Sequence, residues 1–274
     1  MFRSGVVSFL RNDISYYPRF ASLSTSNLHT SPFLWIKRLT RKDDRCDPPK
    51  IAIILSGCGA LDGTEISEAI SATIHISEKG MVPKFFAPDI DICEVIDHYT
   101  KEADCGSNRN ALVESARIAR SCIQPICECE ACHYGGLVIP GGFGAVRTLS
   151  DFAIKGCDCT VIPELEKIIQ DFSCDKKPIG CLCIASVLAA RVLQGCKITL
   201  GKDCPKEDWP YCEAIQIAKQ MGAKVEMKDV KGVTKCKKYN LYSTPAWLYK
   251  RATYGEIHAG IGKLITMLRK SVRQ

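Results

Sequence analysis

The 274-residue sequence lacks any uninterrupted apolar run of about 18 residues, the length that a helix needs to cross a membrane. We therefore expect no membrane-spanning helix. It also lacks a charge excess over most of its length: residues 1–45 hold eight Lys and Arg against three Asp, so the remaining residues hold 29 basic side chains against 27 acidic ones. A domain this close to neutral offers no basic patch for nucleic acid, and we expect no nucleic-acid partner.

The first 45 residues have the composition of a targeting segment. They are rich in Ser and Arg, and apolar residues such as Val6, Val7, Phe9 and Leu10 lie between the arginines. This composition is typical of an amphipathic mitochondrial presequence, since a secretory signal needs a longer apolar core. The sequence predicts a leader over residues 1–45 and a mitochondrial matrix protein. If the segment is instead a disordered tail, the protein is cytoplasmic.

Cysteine is abundant, with seventeen residues. In a reducing compartment a chain of this size does not need disulfides, so most of these thiols are expected to be small buried side chains or incidental surface groups. The string Cys129-Glu130-Ala131-Cys132-His133 matches a haem c attachment sequence. No second Cys pair at zinc-finger spacing follows it, and its position just before an apolar run favours a plain surface loop.

Residues 46–274 show no internal repeat and no long linker, which predicts a single domain. Short β-branched runs alternate with segments of helical spacing. The predicted strands are 51–55, 82–86, 137–139, 179–182, 197–200 and 240–243, and the predicted helices are 64–79, 108–120, 163–172, 184–193, 207–221 and 253–269. This alternation is typical of an α/β fold with a doubly wound, mostly parallel sheet and helices on both faces.

Cys183 lies where the predicted strand 179–182 gives way to a helix. Cys181 and Ala185 flank it at two residues on either side. Only small side chains fit at those two places in a sharp strand-to-helix turn, so the spacing predicts a nucleophile elbow. We expect the helix N-terminus to lower the pKa of the thiol. The alternative is a buried structural cysteine.

Two further features could meet Cys183 at the carboxyl ends of the strands. The turn Gly141-Gly142-Phe143-Gly144 could aim backbone N–H groups at a developing oxyanion, although it could also be a simple tight turn. Glu65 and Glu68 share one face of the first predicted helix, and a carboxyl there could act as general acid or base. The alternative role for at least one of them is to complement the helix dipole.

The glycine-rich stretch 57–63 imitates a dinucleotide-binding turn, but it does not satisfy that fingerprint. The fingerprint needs a helix that starts within the glycines and an acid about 20 residues further on. Here Asp89 follows a proline and comes too late. We do not expect NAD to bind.

With these features in place, residues 50–269 resemble the ThiJ/PfpI superfamily, which is related to class I glutamine amidotransferases. The likeness is closest to the ElbB-type branch with its mitochondrial animal members. It rests on Ile53-Ile54-Leu55-Ser56-Gly57-Cys58-Gly59, Asp62-Gly63-Thr64-Glu65-Ile66, Phe86-Ala87-Pro88-Asp89, Ile139-Pro140-Gly141-Gly142-Phe143-Gly144-Ala145, Cys159-Thr160-Val161, Cys183-Ile184-Ala185 and Thr244-Pro245-Ala246.

The resemblance implies a flavodoxin-like domain in which Cys183 is the reactive cysteine, Glu65 or Glu68 is its partner, and residues 141–144 with Ile184 bind substrate or oxyanion. It implies a glyoxalase-type reaction on a small reactive carbonyl compound such as methylglyoxal, with no cofactor and no metal, and a homodimer. The alternative that it leaves open is a thiol redox sensor or protective protein without turnover.

Two departures from the family pattern limit this inference. Relatives that hydrolyse glutamine carry a His directly after the Cys or on a later loop, whereas here Ile184 follows Cys183 and His258 falls within the last predicted helix. A glutamine-hydrolysing triad is therefore not expected. Ser186 also stands where the branch usually has Pro, which affects the start of the helix more than the chemistry.

Overall fold

The structure, a computed structural model, describes residues 47–272. The predicted leader over residues 1–45 lies outside the described residues. Strands and helices alternate along the described part of the chain. The strands are β1 (Lys50–Ile54), β2 (Val82–Ala87), β3 (Ile123–Pro125), β4 (Gly136–Ile139), β5 (Ile179–Leu182), β6 (Lys197–Ile198), β7 (Lys224–Val225), β8 (Thr234–Cys236) and β9 (Leu241–Thr244). The helices are α1 (Ile66–Glu78), α2 (Ala111–Ile118), α3 (Gly144–Arg147), α4 (Phe152–Lys155), α5 (Pro163–Cys174), α6 (Ser186–Val192), α7 (Glu213–Gln220) and α8 (Tyr254–Arg269).

Seven strands form one sheet in the order β3-β2-β1-β4-β5-β9-β8. Every neighbouring pair in it is parallel except β8 and β9, which are antiparallel. The strand order reverses at β1, which lies between β2 and β4. Parallel strands end at the same edge of a sheet, so the residues after β1, β4, β5 and β9 meet there, where ligands of such folds bind.

The central strands are buried on both faces, which explains their continuous apolar composition. All four residues of β4, β5 and β9 are buried. A Cβ at Gly180 would lie 2.9 Å from Leu264 of α8, so glycine lets this helix pack closely on the sheet. Helices α5 and α6 also contact strand β5. Helix α1 packs against α8. The predicted doubly wound, mostly parallel α/β fold is confirmed.

Two predicted elements differ from the structure. The predicted helix 207–221 is wrong in its first half, because α7 begins only at Glu213. Pro210 has no N–H to donate and disfavours a helix through that position, so the preceding residues form turns. The predicted strand 197–200 is shortened to β6, which pairs with β7 in a separate two-stranded sheet. None of the helices within residues 47–272 combines the length and apolarity that a membrane crossing requires.

Candidate functional site

Cys183 occupies a sharp turn at the end of β5, as the elbow predicts. Its φ of 55° lies in the left-handed region, which is strained for a residue other than glycine. Residues Cys183–Ala185 form one turn of 3₁₀ helix, and α6 begins directly after it at Ser186. Cys181 and Ala185 are fully buried, so small side chains are needed at both flanking positions. Cys183 itself is 7% exposed.

Glu68 is the carboxyl that meets Cys183. It is fully buried on α1, and its carboxyl group lies against the Cys183 thiol, so that each group shifts the pKa of the other. The Gly141 N–H donates to Glu68 Oε2 at 2.8 Å, and the Trp247 N–H donates to Oε1 at 3.4 Å. Residues that follow β4, β5 and β9 therefore converge on this one carboxyl group.

Glu65 has a different task, because it caps α1. Its Oε2 accepts the Glu68 N–H at 2.7 Å and the Ser67 hydroxyl at 2.6 Å. The Trp247 indole N–H in turn donates to Ser67 Oγ at 2.8 Å. The structure thus separates the two acids that the sequence leaves as equal candidates: Glu65 complements the helix N-terminus and Glu68 contacts the thiol.

The turn after β4 needs glycine at positions 141 and 142, because it passes directly over Cys183 and Glu68. A Cβ on Gly141 would lie 2.5 Å from Cys183 Cβ and 2.8 Å from Glu68 Oε2. Gly142 has a φ of 100°, and a Cβ there would lie 2.3 Å from the Gly63 carbonyl. Both glycines therefore allow a close approach that any larger residue would prevent.

Most N–H groups of this turn are already engaged. Gly141 donates to Glu68, Phe143 to the Ala60 carbonyl at 2.8 Å, and Gly144 to the Gly63 carbonyl at 2.9 Å. Among the described residues, the Gly142 N–H alone of these four has no hydrogen-bond partner. The anion site predicted from the whole turn is therefore reduced to the Gly142 N–H.

The ionisation of the pair differs from the expectation. Burial, assisted by the neighbouring Glu65 carboxylate, raises the pKa of Glu68 to about 8. Burial and the adjacent Glu68 carboxylate raise the pKa of the Cys183 thiol, while the Ile184 N–H acts in the opposite direction. The prediction of a lowered thiol pKa is therefore wrong: the Ile184 N–H lowers it, but that effect does not offset the desolvation, and α6 itself has only 7 residues and starts at Ser186.

At neutral pH both groups are therefore protonated. Two ionisable groups in contact titrate as a unit, so the first proton leaves the pair near pH 8, the value set by Glu68. The proton that remains is held by the Cys183 thiol, because the pKa of that thiol is raised above its ordinary value. Above pH 8 a neutral thiol therefore lies beside a Glu68 carboxylate, and a Cys183 thiolate forms only when the thiol proton is passed to that carboxylate.

A cavity of about 480 Å³ opens beside Cys183. Cys183 lines it, whereas Glu68 lies behind the thiol and is covered. The remaining lining is mainly apolar and aromatic, with three charged side chains. The apolar group comprises Ala60, Leu61, Phe143, Val146, Phe152, Ala153, Ile184, Pro210, Tyr211, Ala214, Ile217, Trp247 and Leu248, and the charged group comprises Glu65, Arg147 and Glu213.

Several lining residues are not predicted from the sequence. Tyr211 packs edge-on against Phe143, with ring centroids 5.7 Å apart, and Arg147 lies over the same ring at 5.6 Å. Trp247 follows β9, and its position after a buried strand is the one signal that could have identified it. Tyr211 and Arg147 follow no strand directly, so their contribution depends on the folded path of the chain.

Histidine does not contribute to this cavity within residues 47–272. His258 lies in α8, as the sequence predicts, and its ring stacks on His75 of α1 with centroids 4.1 Å apart. In the glycine-rich loop after β1, the N–H groups of Gly57 and Gly59 are already engaged. Gly57 N–H donates to Ser115 Oγ and Gly59 N–H to the Thr64 carbonyl, so these groups do not point at a phosphate.

No protein-family model matches the chain, but individual relatives do. It is 41% identical over 217 residues to the human mitochondrial glutamine amidotransferase-like class 1 domain-containing protein 3, a match that covers 79% of this chain and 81% of that protein. It is also 41% identical over 220 residues to the rat mitochondrial ES1 protein homolog, with the same coverage of both chains.

A solved structure agrees with these relatives. The isoprenoid biosynthesis protein with an amidotransferase-like domain from Ehrlichia chaffeensis is 28% identical, with a TM-score of 0.73, covering 82% of this chain and 100% of that one. The curated relatives carry mitochondrial names, and the prediction of a mitochondrial protein is confirmed. The chain belongs to the mitochondrial ES1 family of glutamine amidotransferase-like class 1 domain proteins, in agreement with the resemblance to the ElbB-type branch of the ThiJ/PfpI superfamily.

Proposed function

We propose that this protein is a cofactor-independent, glyoxalase-type enzyme that converts α-oxoaldehydes into α-hydroxy acids through Cys183 and Glu68. The observation that carries the proposal is the contact between a strained elbow thiol, which lines a cavity, and a fully buried carboxyl with a pKa raised to about 8. Nucleophilic addition needs a thiolate, and proton transfer between neighbouring carbons needs a carboxyl near its own pKa.

The reaction can be written with these two groups and water. The Cys183 thiolate attacks the aldehyde carbon of methylglyoxal, the C=O π bond breaks, and the oxygen takes the proton of the neutral Glu68 carboxyl to give a hemithioacetal. The Glu68 carboxylate then removes the hydrogen on that carbon as a proton and returns it to the adjacent carbon. The hydroxyl proton of the hemithioacetal moves to the former ketone oxygen, so the first carbon becomes a thioester carbonyl and the second a carbinol. Water hydrolyses the thioester to lactate and the free thiol, so the net reaction adds one water and needs no external oxidant.

Backbone N–H groups would stabilise the negative charge that develops on the substrate oxygen. The Gly142 N–H is free among the described residues and belongs to a residue that lines the cavity. The Ile184 N–H is directed at the Cys183 sulfur. Enzymes with a nucleophile elbow build their oxyanion site in the same way, from the N–H that follows the nucleophile and an N–H from a second loop.

Glutamine hydrolysis is the less favoured chemistry for this site. An amidotransferase elbow needs a general base to activate the thiol and to protonate the leaving ammonia, a task given to histidine. In the described part of the chain no histidine lines the cavity. A buried Glu68 can exchange a proton with the thiol, which is what the glyoxalase-type reaction requires.

The direct test is lactate formation from methylglyoxal by the wild type and by Cys183→Ala. We expect the substitution to abolish turnover. Cys212→Ser serves as the matched control, because Cys212 is a half-buried cysteine next to the cavity residues Tyr211 and Glu213 but does not line the cavity. Absence of turnover in a folded wild type, or full turnover in Cys183→Ala, would contradict the proposal.

A thiol redox sensor is the second candidate, and one observation favours it. The Glu68 carboxyl is protonated at neutral pH and can donate a hydrogen bond to an oxygen added to the Cys183 sulfur. Peroxide would supply that oxygen and be reduced to water. A wild type that forms no lactate but gains oxygen on the Cys183 peptide after mild peroxide would replace the enzyme proposal with this one.

A further inference from the structure

Three side chains of different metal-binding types meet at the surface before β4. Glu130, Cys132 and His133 offer a carboxylate oxygen, a sulfur and an imidazole nitrogen that all lie within 4.8 Å of one another. Glu130 Oε2 lies 3.2 Å from His133 Nε2 and 3.8 Å from Cys132 Sγ. We propose that these three side chains bind a zinc ion, at a site separate from Cys183.

The separations match those that zinc requires. With Zn–S near 2.3 Å and Zn–N or Zn–O near 2.1 Å, tetrahedral geometry puts two N or O ligands about 3.4 Å apart, and S about 3.6 Å from either. The observed 3.2 and 3.8 Å differ from these values by about 0.2 Å. The third separation, between Cys132 and His133, is at most 4.8 Å and must shorten by up to about 1.2 Å. A zinc ion would therefore bind with small side-chain rotations.

The fold also decides which cysteine of the Cys129-to-Cys132 pair is available. Cys129 is turned into the core, so its sulfur does not reach the surface where Glu130 and His133 lie. Cys132 is exposed. Haem attachment needs two accessible cysteines, and of this pair only Cys132 is accessible. A zinc site needs only one thiolate here, because Glu130 and His133 supply the other two ligands.

The surroundings give a fourth ligand access to the cluster. A groove of about 600 Å³ adjoins the cluster and is lined by Glu130, Cys132 and residues of α5. Three protein ligands with one position for water or an external ligand are typical of zinc sites that exchange or react, and structural sites have four protein ligands. All three side chains are exposed, so the ion would enter and leave freely. The sequence alone favours a plain surface loop here, and the convergence of the three donors in the fold changes that interpretation.

The test is calorimetric titration of the reduced, chelator-treated full chain with zinc chloride. The variants are Cys132→Ser and His133→Gln, with Cys174→Ser as the matched control, because Cys174 is an exposed cysteine of α5 that lines the same groove. We expect zinc to bind at least about tenfold more weakly to the first two variants, because even the loss of a residue that only hydrogen-bonds to a metal ligand has an effect of that size. Binding to the control should be unchanged. Wild-type affinity in Cys132→Ser and His133→Gln, or an equal loss in Cys174→Ser, would overturn the proposal.

Cobalt chloride supplies a second readout that does not depend on affinity, since the chain holds seventeen cysteines. A thiolate bound to cobalt gives a charge-transfer band in the near ultraviolet. We expect this band in the wild type and in Cys174→Ser, and its loss in Cys132→Ser. A band that persists in Cys132→Ser would assign the metal to other thiols and overturn the proposed site.

Discussion

Cys183 and Glu68 function as one ionising unit because each alters the charge that the other can carry. The thiol is held at a left-handed φ of 55°, which aims it across the end of the sheet towards the carboxyl. Burial raises the pKa of both groups, so the resting pair is neutral. The proton that leaves near pH 8 comes from Glu68, and the carboxylate that forms can accept the thiol proton. The pKa of the Cys183 thiol therefore depends on burial and on its partner carboxyl more than on a helix dipole.

The close approach of Gly141 to this pair gives the first prediction. Gly141→Ala would place a methyl group 2.5 Å from Cys183 Cβ, so the thiol and Glu68 must separate. We expect a loss of about 1 to 3 kcal/mol in the free energy of unfolding, the usual cost of overpacking a core, together with a loss of turnover. Urea denaturation and the methylglyoxal assay would measure the two effects.

Gly255→Ala is the matched control for this substitution. Gly255 lies in the first turn of α8, and a Cβ there would come no closer than 4.0 Å to Thr253 Oγ1. We expect unchanged or slightly higher stability and unchanged turnover. If Gly141→Ala is as well tolerated as this control, the turn does not hold the pair together as described.

The raised pKa of Glu68 predicts a specific pH dependence of stability. The folded protein keeps this proton up to about pH 8, whereas the unfolded chain releases it near the ordinary glutamate pKa of 4.5. Between these values the unfolded state binds fewer protons, so ionisation favours unfolding and stability falls as pH rises from about 4.5 to 8. The fall is on the order of 1.4 kcal/mol per pH unit from this group alone.

Glu68→Gln removes this ionisation and should flatten the dependence. We expect the wild type to lose a few kcal/mol more than Glu68→Gln between pH 5 and pH 8, on the scale of about 1.4 kcal/mol per pKa unit. Urea denaturation at both pH values measures the difference, with the exposed Glu78→Gln on the same helix as control. Parallel curves for the wild type and Glu68→Gln would show that Glu68 is ionised in the folded protein.

Among the elements, α1 combines a structural and a chemical task within one turn. Glu65 accepts the N–H that begins the helix, and Glu68, three residues later, faces the thiol. The cap is connected through Ser67 to the Trp247 indole, so the start of α1 is fixed to the segment after β9.

The cap gives a prediction at this scale. Glu65→Ala removes the side chain that accepts the Glu68 N–H, and we expect a loss of about 1 kcal/mol in the free energy of unfolding. Glu65→Asp, which keeps a good capping group, should retain most of the stability. Chemical denaturation of both variants is the measurement, and equal stability of Glu65→Ala and the wild type would show that the cap contributes nothing.

The elements that build the site could be predicted because their sequence patterns are local. The apolar runs of β1, β4 and β5 and the helical spacing of α1 are visible in single segments of the chain. β3 and β8 have only 3 residues each, too few for a period to be recognised. The choice between Glu65 and Glu68 could not be predicted, since both lie on one helix face and only the packing against Cys183 separates them.

Across the whole molecule, the site is made by residues that are far apart in the chain. Glu68, Gly141, Cys183 and Trp247 follow or adjoin different strands, and parallel pairing brings them to one edge of the sheet. The first three could be proposed from motifs at the ends of strands. Tyr211 could not, because it reaches the cavity only through the turns that replace the first half of a predicted helix.

The size of the cavity predicts a preference among substrates. A volume of about 480 Å³ with an aromatic lining far exceeds what methylglyoxal, with five non-hydrogen atoms, would fill. Since a water molecule takes about 30 Å³, much of the cavity would remain hydrated around so small a substrate. We expect a higher kcat/KM for phenylglyoxal than for methylglyoxal, measured by hydroxy acid formation.

Tyr211→Ala tests whether the aromatic lining of the cavity causes the preference for phenylglyoxal. It should lower kcat/KM for phenylglyoxal more than for methylglyoxal, because the larger ring loses a packing surface. A preference for methylglyoxal in the wild type, or equal losses on both substrates in the variant, would show that the aromatic lining does not select the substrate.

The pH dependence of kcat/KM for methylglyoxal reports whether Cys183 and Glu68 share a proton during turnover. We expect kcat/KM of the wild type to rise with pH and level off with an apparent pKa near 8, the value to which burial raises the pKa of Glu68. We also expect Glu68→Gln to lose at least about 100-fold in kcat/KM, the usual effect of removing a general acid or base. A wild-type profile that stays flat from pH 6 to 9, or a Glu68→Gln variant with wild-type kcat/KM, would contradict the sharing of a proton between Cys183 and Glu68.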